Sequence, residues 1–286
     1  MKPSTPINIG NLAEELRSHL NINFASYLLN GLRHGFDAMV KCETWETKEC
    51  KSNFSARPQP EIVSELIKKE CDKGFVYGPF KSPPFQNCRV SPLGVATGKY
   101  SDKKLLILDL SSTHNDTCVS VNDMIDKTDC SMSYVKIDDA IRIILKCGKG
   151  SKLCKFDISD AFKICPYKHS QWPLFCFKWD STYYFYARLS FGCRSSPNVF
   201  DTISQAVCYI AERNYKVKHI LHLLDDCLTI DHPDDDGERT MALIMTIIFK
   251  RLNIPIANHK TLGPVTCLEY LGIILYSDKW KLDFPL

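Results

Sequence analysis

The sequence predicts an α+β fold whose C-terminal half is a split β-α-β-β-α-β unit of the ferredoxin-like kind. Two observations predict it. From Lys152 onward, strand and helix patterns alternate with short connections. Within that alternation the run HILHLLDDCLTI at 219–230 reads as two apolar hairpin arms closed over Asp225 and Asp226. A chain of 286 residues, 44% hydrophobic and 24% charged, has the composition of a globular protein with one large domain or two smaller ones.

The elements follow in order. Asn11 and Glu14 have capping-box spacing ahead of Leu16 and Leu20, and FASYLLNGL at 24–32 continues an amphipathic helical pattern. Residues 35–58 are poor in aliphatics and read as a linker or long loop. A helix over 60–73 has Pro60 at its first position and Gly74 just past its end. KSPPFQNCRVSPLGV is an extended segment, LLILDL at 105–110 a buried strand, and 138–147 a helix with Asp138 as cap and Gly148 as stop. KLCKFDI (152–158) is a strand and DAFKIC begins a helix. The stretch 175–189 is a hairpin turning at Asp180–Thr182. A helix over 195–214 presents Phe200, Ile203, Val207 and Ile210 on one face; after the acidic hairpin come a helix over 236–253 and a last strand over 267–275.

Composition excludes several classes. A net charge of +3 does not by itself announce a nucleic-acid partner, and the run of five basic residues between Arg142 and Lys155 is the pattern of a solvated helix end. Fourteen cysteines occur without any CxxC; His114/Cys118 and Cys165/His169 have loose metal spacing but no second ligand pair, so zinc has little support. The N-terminus MKPSTPINIG lacks an apolar signal core, and no stretch of 18 apolar residues exists. The expectation is no membrane and an intracellular location, cytoplasmic or nuclear, with reduced thiols.

The paired aspartates ask for chemistry. In DHPDDDGE at 231–238 the acids sit among turn residues, as solvated carboxylates do. Asp225 and Asp226 instead interrupt an apolar run, where two carboxylates about 4 Å apart repel by about 4 kcal/mol at an effective dielectric near 20. Such a pair protonates or takes a cation, and hard oxygen ligands suit Mg²⁺. The predicted topology brings Asp157, at the end of the first strand, toward them, and three converging carboxylates suit a two-metal site for phosphoryl displacement.

FDISDAF, LSFGCRSSPNVF, LLDDCL, NHKTLGP and EYLGI, in this order, resemble the palm motifs of reverse transcriptases, most closely those of DIRS-type, tyrosine-recombinase retrotransposons. The likeness extends to SPPFQNCRVSPLGV, LDLSS, SVNDMID and YLLNGLRHGF, and so covers nearly the whole chain. It implies a right-hand polymerase fold: an N-terminal helical extension and linker over 1–58, fingers over 59–132, and a ferredoxin-like palm over 133–286 with a fingers insertion around 166–190. The chain stops at KLDFPL just after the last palm strand, so the thumb is expected to be absent, with RNase H and recombinase modules of the parent element as further partners. Template-directed DNA synthesis on an RNA or DNA template with primer, from dNTPs, is the implied activity.

By that resemblance Asp157, Asp225 and Asp226, with the carbonyl of Ile158, hold two Mg²⁺ ions. Phe162, five residues after Asp157, falls where the family carries its steric gate against a 2′-OH, although a Phe after a strand is more commonly core. Phe191, Gly192 and Arg194 match the segment lining the nucleotide and template pocket, Gly192 permitting close backbone approach. Lys260 matches the lysine that protonates departing pyrophosphate; a solvated loop lysine is its plain alternative. Two positions depart from the family. Leu223 stands where the motif carries Tyr, and Leu105 where a triphosphate-gripping Arg is expected, leaving Lys103 or Lys104 to substitute without the bidentate fork. Two rival readings follow: a decayed remnant that only binds nucleic acid or protein, and a Mg²⁺-dependent phosphohydrolase or nuclease using the same acids.

Overall fold

The computed structural model describes residues 2–42, 45, 47–50, 55–98, 104–113 and 119–284. Lys103, His114 and Cys118 therefore lie outside the described residues.

Helix α1 (Ile9–Glu15) begins at Asn8, whose side chain accepts from the Asn11 amide at 3.0 Å. The cap is thus three residues upstream of the Asn11 that the capping-box spacing suggested. Helix α2 (Ile22–His34) follows. After β1 (Lys48–Glu49), α3 (Pro60–Asp72) starts with Pro60 in its first turn. Pro tolerates that place because the first amides have no intrahelical partner. Then come β2 (Val76–Phe80), β3 (Arg89–Val90), β4 (Leu93–Thr97) and β5 (Lys104–Leu108).

Helix α4 (Ile137–Cys147) is capped from Lys136, whose amide donates to Asp139 at 2.9 Å; Asp139, one residue after the expected Asp138, does the capping. Gly148, at φ 103°, ends it. Next is β6 (Lys152–Asp157). DAFKIC does not begin an α-helix: Ala161–Ile164 make a 3-10 turn. β7 (Cys176–Trp179) and β8 (Thr182–Tyr186) form the expected hairpin, closed by Asp180 and Ser181 with positive φ. After α5 (Ser196–Arg213), β9 (Ile220–Leu223) and β10 (Asp226–Asp231) flank the acidic turn. The next helix is α6 (Gly237–Leu243), continued in π-helical form over Ile244–Arg251. β11 (Leu262–Val265) is followed by β12 (Cys267–Tyr270), β13 (Ile273–Tyr276) and β14 (Lys281–Asp283). The single strand expected over 267–275 is therefore a hairpin. Leu271 and Gly272 both take positive φ, the conformation of a two-residue turn.

The chain divides into two compact units. One comprises Met1–Thr5, Asn30–Ser131 and Phe162–Val199. It carries a five-stranded sheet in the order β1-β3-β7-β8-β2 and the β4-β5 pair. Its core is aromatic: Trp172 lies 5.4 Å from Phe185 and Tyr167 stacks on Phe175 at 3.7 Å.

The other comprises Pro6–Leu29, Met132–Ala161 and Phe200–Leu286. Its four-stranded sheet runs β11-β6-β10-β9 with every neighbouring pair antiparallel. That order is the ferredoxin-like one, with β11 rather than 267–275 as the fourth strand. Register assigns the faces, because alternate residues share a side. Leu153, Lys155 and Asp157 on β6 stand opposite Ile230, Leu228 and Asp226 on β10. The apolar members of that face are buried with Ala140 and Ile144 of α4 and with Leu268, Tyr270 and Leu275. The opposite face carries Cys154, Phe156 and Cys227; Phe156 meets Phe249 at 5.9 Å. The four apolar positions expected on the 195–214 helix are all buried.

All described cysteines are free thiols, Cys165 deep in the core. No described helix is long and apolar enough to cross a membrane.

Candidate active site

Three aspartates are grouped where β6 ends and the β9–β10 hairpin turns. Asp157 is the last residue of β6 and lies directly across from Asp226, the first of β10. Asp225 occupies the two-residue turn with Leu224, between the paired Leu223 and Asp226. Two hydrogen bonds hold the turn in a strained conformation. Leu224 adopts φ 52°, costly for a leucine. Ser204 on α5, fully buried, donates through Oγ to the Leu224 carbonyl at 2.6 Å. The Ile158 amide donates to the Asp225 carbonyl at 3.0 Å. On the β6 side, the Ala257 amide donates to the Asp157 carbonyl at 2.8 Å. Ser204→Ala should cost about 1 kcal/mol, the usual worth of such a bond. The measurement is a denaturant midpoint; no shift would mean that the bond does not hold the turn.

The electrostatics follow from this crowding. The Asp225 carboxyl is pushed up to about 6, first by burial and then by the neighbouring charges of Asp157 and Asp226, against the pull of its own amide and of Lys260. Lys260 sits on a 3-10 turn (Asn258–Lys260) and donates from Nζ to Asp157 Oδ2 at 2.7 Å. That bond, with the fields of Asp157, Asp225 and Asp226, raises the ammonium above its ordinary value, so it stays protonated at neutral pH. Asp157 itself is 5% exposed.

Sequence reasoning missed a second lysine. Lys155 Nζ stands 3.3 Å from Asp226 Oδ1. The contact is within ion-pair range but lacks hydrogen-bond geometry, for Asp226 Oδ1 is buried without a hydrogen-bond partner. The signal was available: Lys155 shares its side of the strand with Asp157, two residues on. His222, three residues before Asp225, makes another support. Its Nε2 lies 3.2 Å from Asp201 Oδ1 and its Nδ1 3.3 Å from Cys208 Sγ, which ties β9 to α5. His219, by contrast, feels Lys146, Asp231 and Lys218. The two histidines share no partner among these contacts.

The donor set suits Mg²⁺. Among the described residues, no three His, Cys, Asp or Glu side chains converge as a ready-made metal cage. Mg²⁺ does not need one, since it keeps several waters and is bound by one or two carboxylates together with substrate phosphates. The elevated Asp225 carboxyl and the Asp226 Oδ1, buried without a hydrogen bond, are the two features here that a cation would relieve.

The remaining candidates belong to the other unit. Phe162 lies on the 3-10 turn, half-buried, with its ring 5.2 Å from that of Phe191. Gly192 takes φ 103°, and a Cβ there would stand 2.0 Å from the Leu108 carbonyl oxygen, so the backbone approach it permits is to the end of β5. Asn122 Nδ2 donates to the Gly192 carbonyl at 2.8 Å. Arg194 donates through its guanidinium to the carbonyls of Asn122 and Ile125, the latter at 2.7 Å; it brackets a loop with its side chain. Lys104 Nζ donates to Gln59 Oε1.

No protein-family model matches the sequence, and no curated protein matches it. Among solved structures, the chain is similar to a foamy viral protease–reverse transcriptase in complex with double-stranded DNA, with TM-score 0.59 and 14% identity over 96% of this chain and 47% of that one. It is similar to a foamy viral protease–reverse transcriptase with an RNA/DNA hybrid, with TM-score 0.59 and 14% identity over 94% of this chain and 35% of that one. The native prototype foamy virus protease–reverse transcriptase gives TM-score 0.54 and 17% identity over 84% and 28%. In all three the chain spans less than half the solved protein. The fold is reverse-transcriptase-like.

Proposed function

We propose that this chain is the fingers and palm of a DIRS-type retroelement reverse transcriptase and catalyses template-directed DNA synthesis. The observation that carries the reading is the acid cluster: Asp157, Asp225 and Asp226 at one end of a β11-β6-β10-β9 sheet, within a reverse-transcriptase-like fold. The similar foamy viral proteins were solved with DNA or an RNA/DNA hybrid, and a template with primer is the corresponding partner here.

Asp157 and Asp225, joined by Asp226 and the Ile158 carbonyl, would hold two Mg²⁺ ions. Bound there, Mg²⁺ supplies the Lewis acidity that activates a primer 3′-hydroxyl and offsets charge on the dNTP phosphates. The protein supplies the rest. The pinned turn orients the acids, and Lys260, kept protonated beside them, holds the proton that departing pyrophosphate needs. Roles facing the nucleotide for Phe162, Phe191, Gly192, Arg194 and Lys104 rest on the resemblance in sequence. The departure at Leu105, with Lys104 already engaged by Gln59, favours one second reading: a remnant that binds nucleic acid without extending it. The test is primer extension with dNTPs and Mg²⁺. Extension by the native chain that disappears with Asp225→Asn supports the proposal; binding without extension supports the remnant, and hydrolysis of the primer supports a nuclease.

Sugar choice is a separate expectation. A 2′-OH pressed unpaired against the Phe162 ring costs about 1–3 kcal/mol, which is roughly ten- to hundredfold in discrimination. Phe162→Val should raise the rNTP/dNTP incorporation ratio by about that factor. If the ring only packs on Phe191, both substrates will suffer equally and the ratio will not move.

A further inference from the structure

Lys155 has no role in the reading above, yet it occupies the most consequential position next to the acids. It lies on the sheet face that carries Leu153, Leu228 and Ile230 into the core, where a lysine is costly unless paired. Its side chain is 19% exposed, and its acid contact is Asp226, 28% exposed. Asp157 is occupied more tightly, by the 2.7 Å hydrogen bond from Lys260. The three carboxylates are thus offset by two ammonium groups, and among the described residues Asp225 has no ion pair of its own.

We infer that Lys155 is a built-in counter-ion that competes with a divalent cation for Asp226, and so sets the cation concentration at which the full acid triad is assembled. The inference rests on the metal reading proposed above. It divides the acids into two classes. Asp225, which has no ion pair among the described residues, takes the first ion, and Asp157 joins it once the Lys260 hydrogen bond is displaced. Asp226 becomes a ligand only when Lys155 withdraws, which its unpartnered Oδ1 allows because no hydrogen bond has to be broken. Lys155 is a positioning residue acting through Asp226, and its charge rather than its packing does the work.

The probe is Mn²⁺ alone, titrated into the full chain and followed by its paramagnetic resonance signal, with Mg²⁺ as competitor. Lys155→Met keeps the apolar stem and removes the charge, and should tighten Mn²⁺ binding about tenfold, the order expected when a unit charge roughly 6 Å from a divalent ion is removed at a water-like effective dielectric near 80. Lys155→Arg should restore the native affinity. The gain should vanish in Lys155→Met/Asp226→Asn. Unchanged or weaker binding by folded Lys155→Met overturns the inference, as does a gain that persists in the double variant. Asp226→Asn alone offers a check that does not depend on Lys155→Met folding: with Lys155 present it should weaken Mn²⁺ binding far less than Asp225→Asn does, and an equal loss in the two overturns the inference. Native chain that binds no Mn²⁺, or binds it regardless of Asp225→Asn, removes the metal reading itself. Native binding abolished by Asp225→Asn but indifferent to Lys155 removes this inference only.

Discussion

Asp225→Asn is expected to abolish primer extension and, at the same time, to stabilise the metal-free chain. The two effects share one cause. Burial and the charges of Asp157 and Asp226 lift the Asp225 carboxyl to about 6, roughly two units above the ordinary value of about 3.9. Two units correspond to about 3 kcal/mol. A carboxyl raised in the folded state favours folding only while it is protonated. Below about pH 4 both states carry the proton and there is no penalty. Between about 4 and 6 the folded state holds more protons than the unfolded one, so stability falls as pH rises, and above 6 the whole penalty is present. Thermal melts in a chelator should therefore show the native chain losing stability across that window and the Asn variant losing less, ending about 3 kcal/mol more stable at pH 7. Added Mg²⁺ should recover the native chain and leave the variant unmoved. A variant that is less stable at pH 7 would show that Asp225 is satisfied by its surroundings, and the case for a cation at this turn would weaken.

The acids were legible in the sequence because they break a pattern. Carboxylates inside an apolar alternation contradict the hydrophobic signal around them, and such contradictions concentrate at functional or strained positions. The strand order was legible for a related reason: short connections from α5 through β9 and β10 to α6 leave few topologies. What stayed hidden depends on atoms brought together across the chain. Lys155 looks like part of a solvated basic run until register places it opposite the hairpin. Ser204 is one hydroxyl on a helix until α5 carries it to the Leu224 carbonyl. Leu224 and Leu271 both take positive φ, and leucine gives no hint of that; the first hid the shape of the acidic turn, the second turned an expected strand into a hairpin. The caps at Asn8 and Asp139 missed by one to three residues because several polar residues compete at each helix start and only geometry selects among them.

The other large effect is expected from Gly192→Ala, in the unit that does not contain the acids. Two penalties combine there. The residue sits at φ 103°, where an L side chain is strained, and the added Cβ would lie 2.0 Å from the Leu108 carbonyl oxygen. Neither side can give way easily. Leu108 pairs with Leu93 in the β4–β5 ladder, and its amide donates to the Phe191 carbonyl at 3.2 Å. On the other side Asn122 holds the Gly192 carbonyl and accepts from the Arg194 amide at 2.8 Å. The methyl group must therefore pry the 191–194 segment from β5 or break the Asn122 bracket. Strain at special backbone positions and overpacking are among the few mechanisms that exceed the usual cost of a point change, so a loss of about 3 kcal/mol or more is expected. In a chain of this size that lowers Tm by roughly 6–12 °C. Gly74→Ala separates the two penalties, since Gly74 takes φ 68° with no atom within 4 Å of its added Cβ. It should cost only the left-handed strain, about 1–2 kcal/mol. If the two variants melt alike, the segment from Phe191 to Arg194 does not press on β5, and the close approach through Gly192 is not what holds it in place.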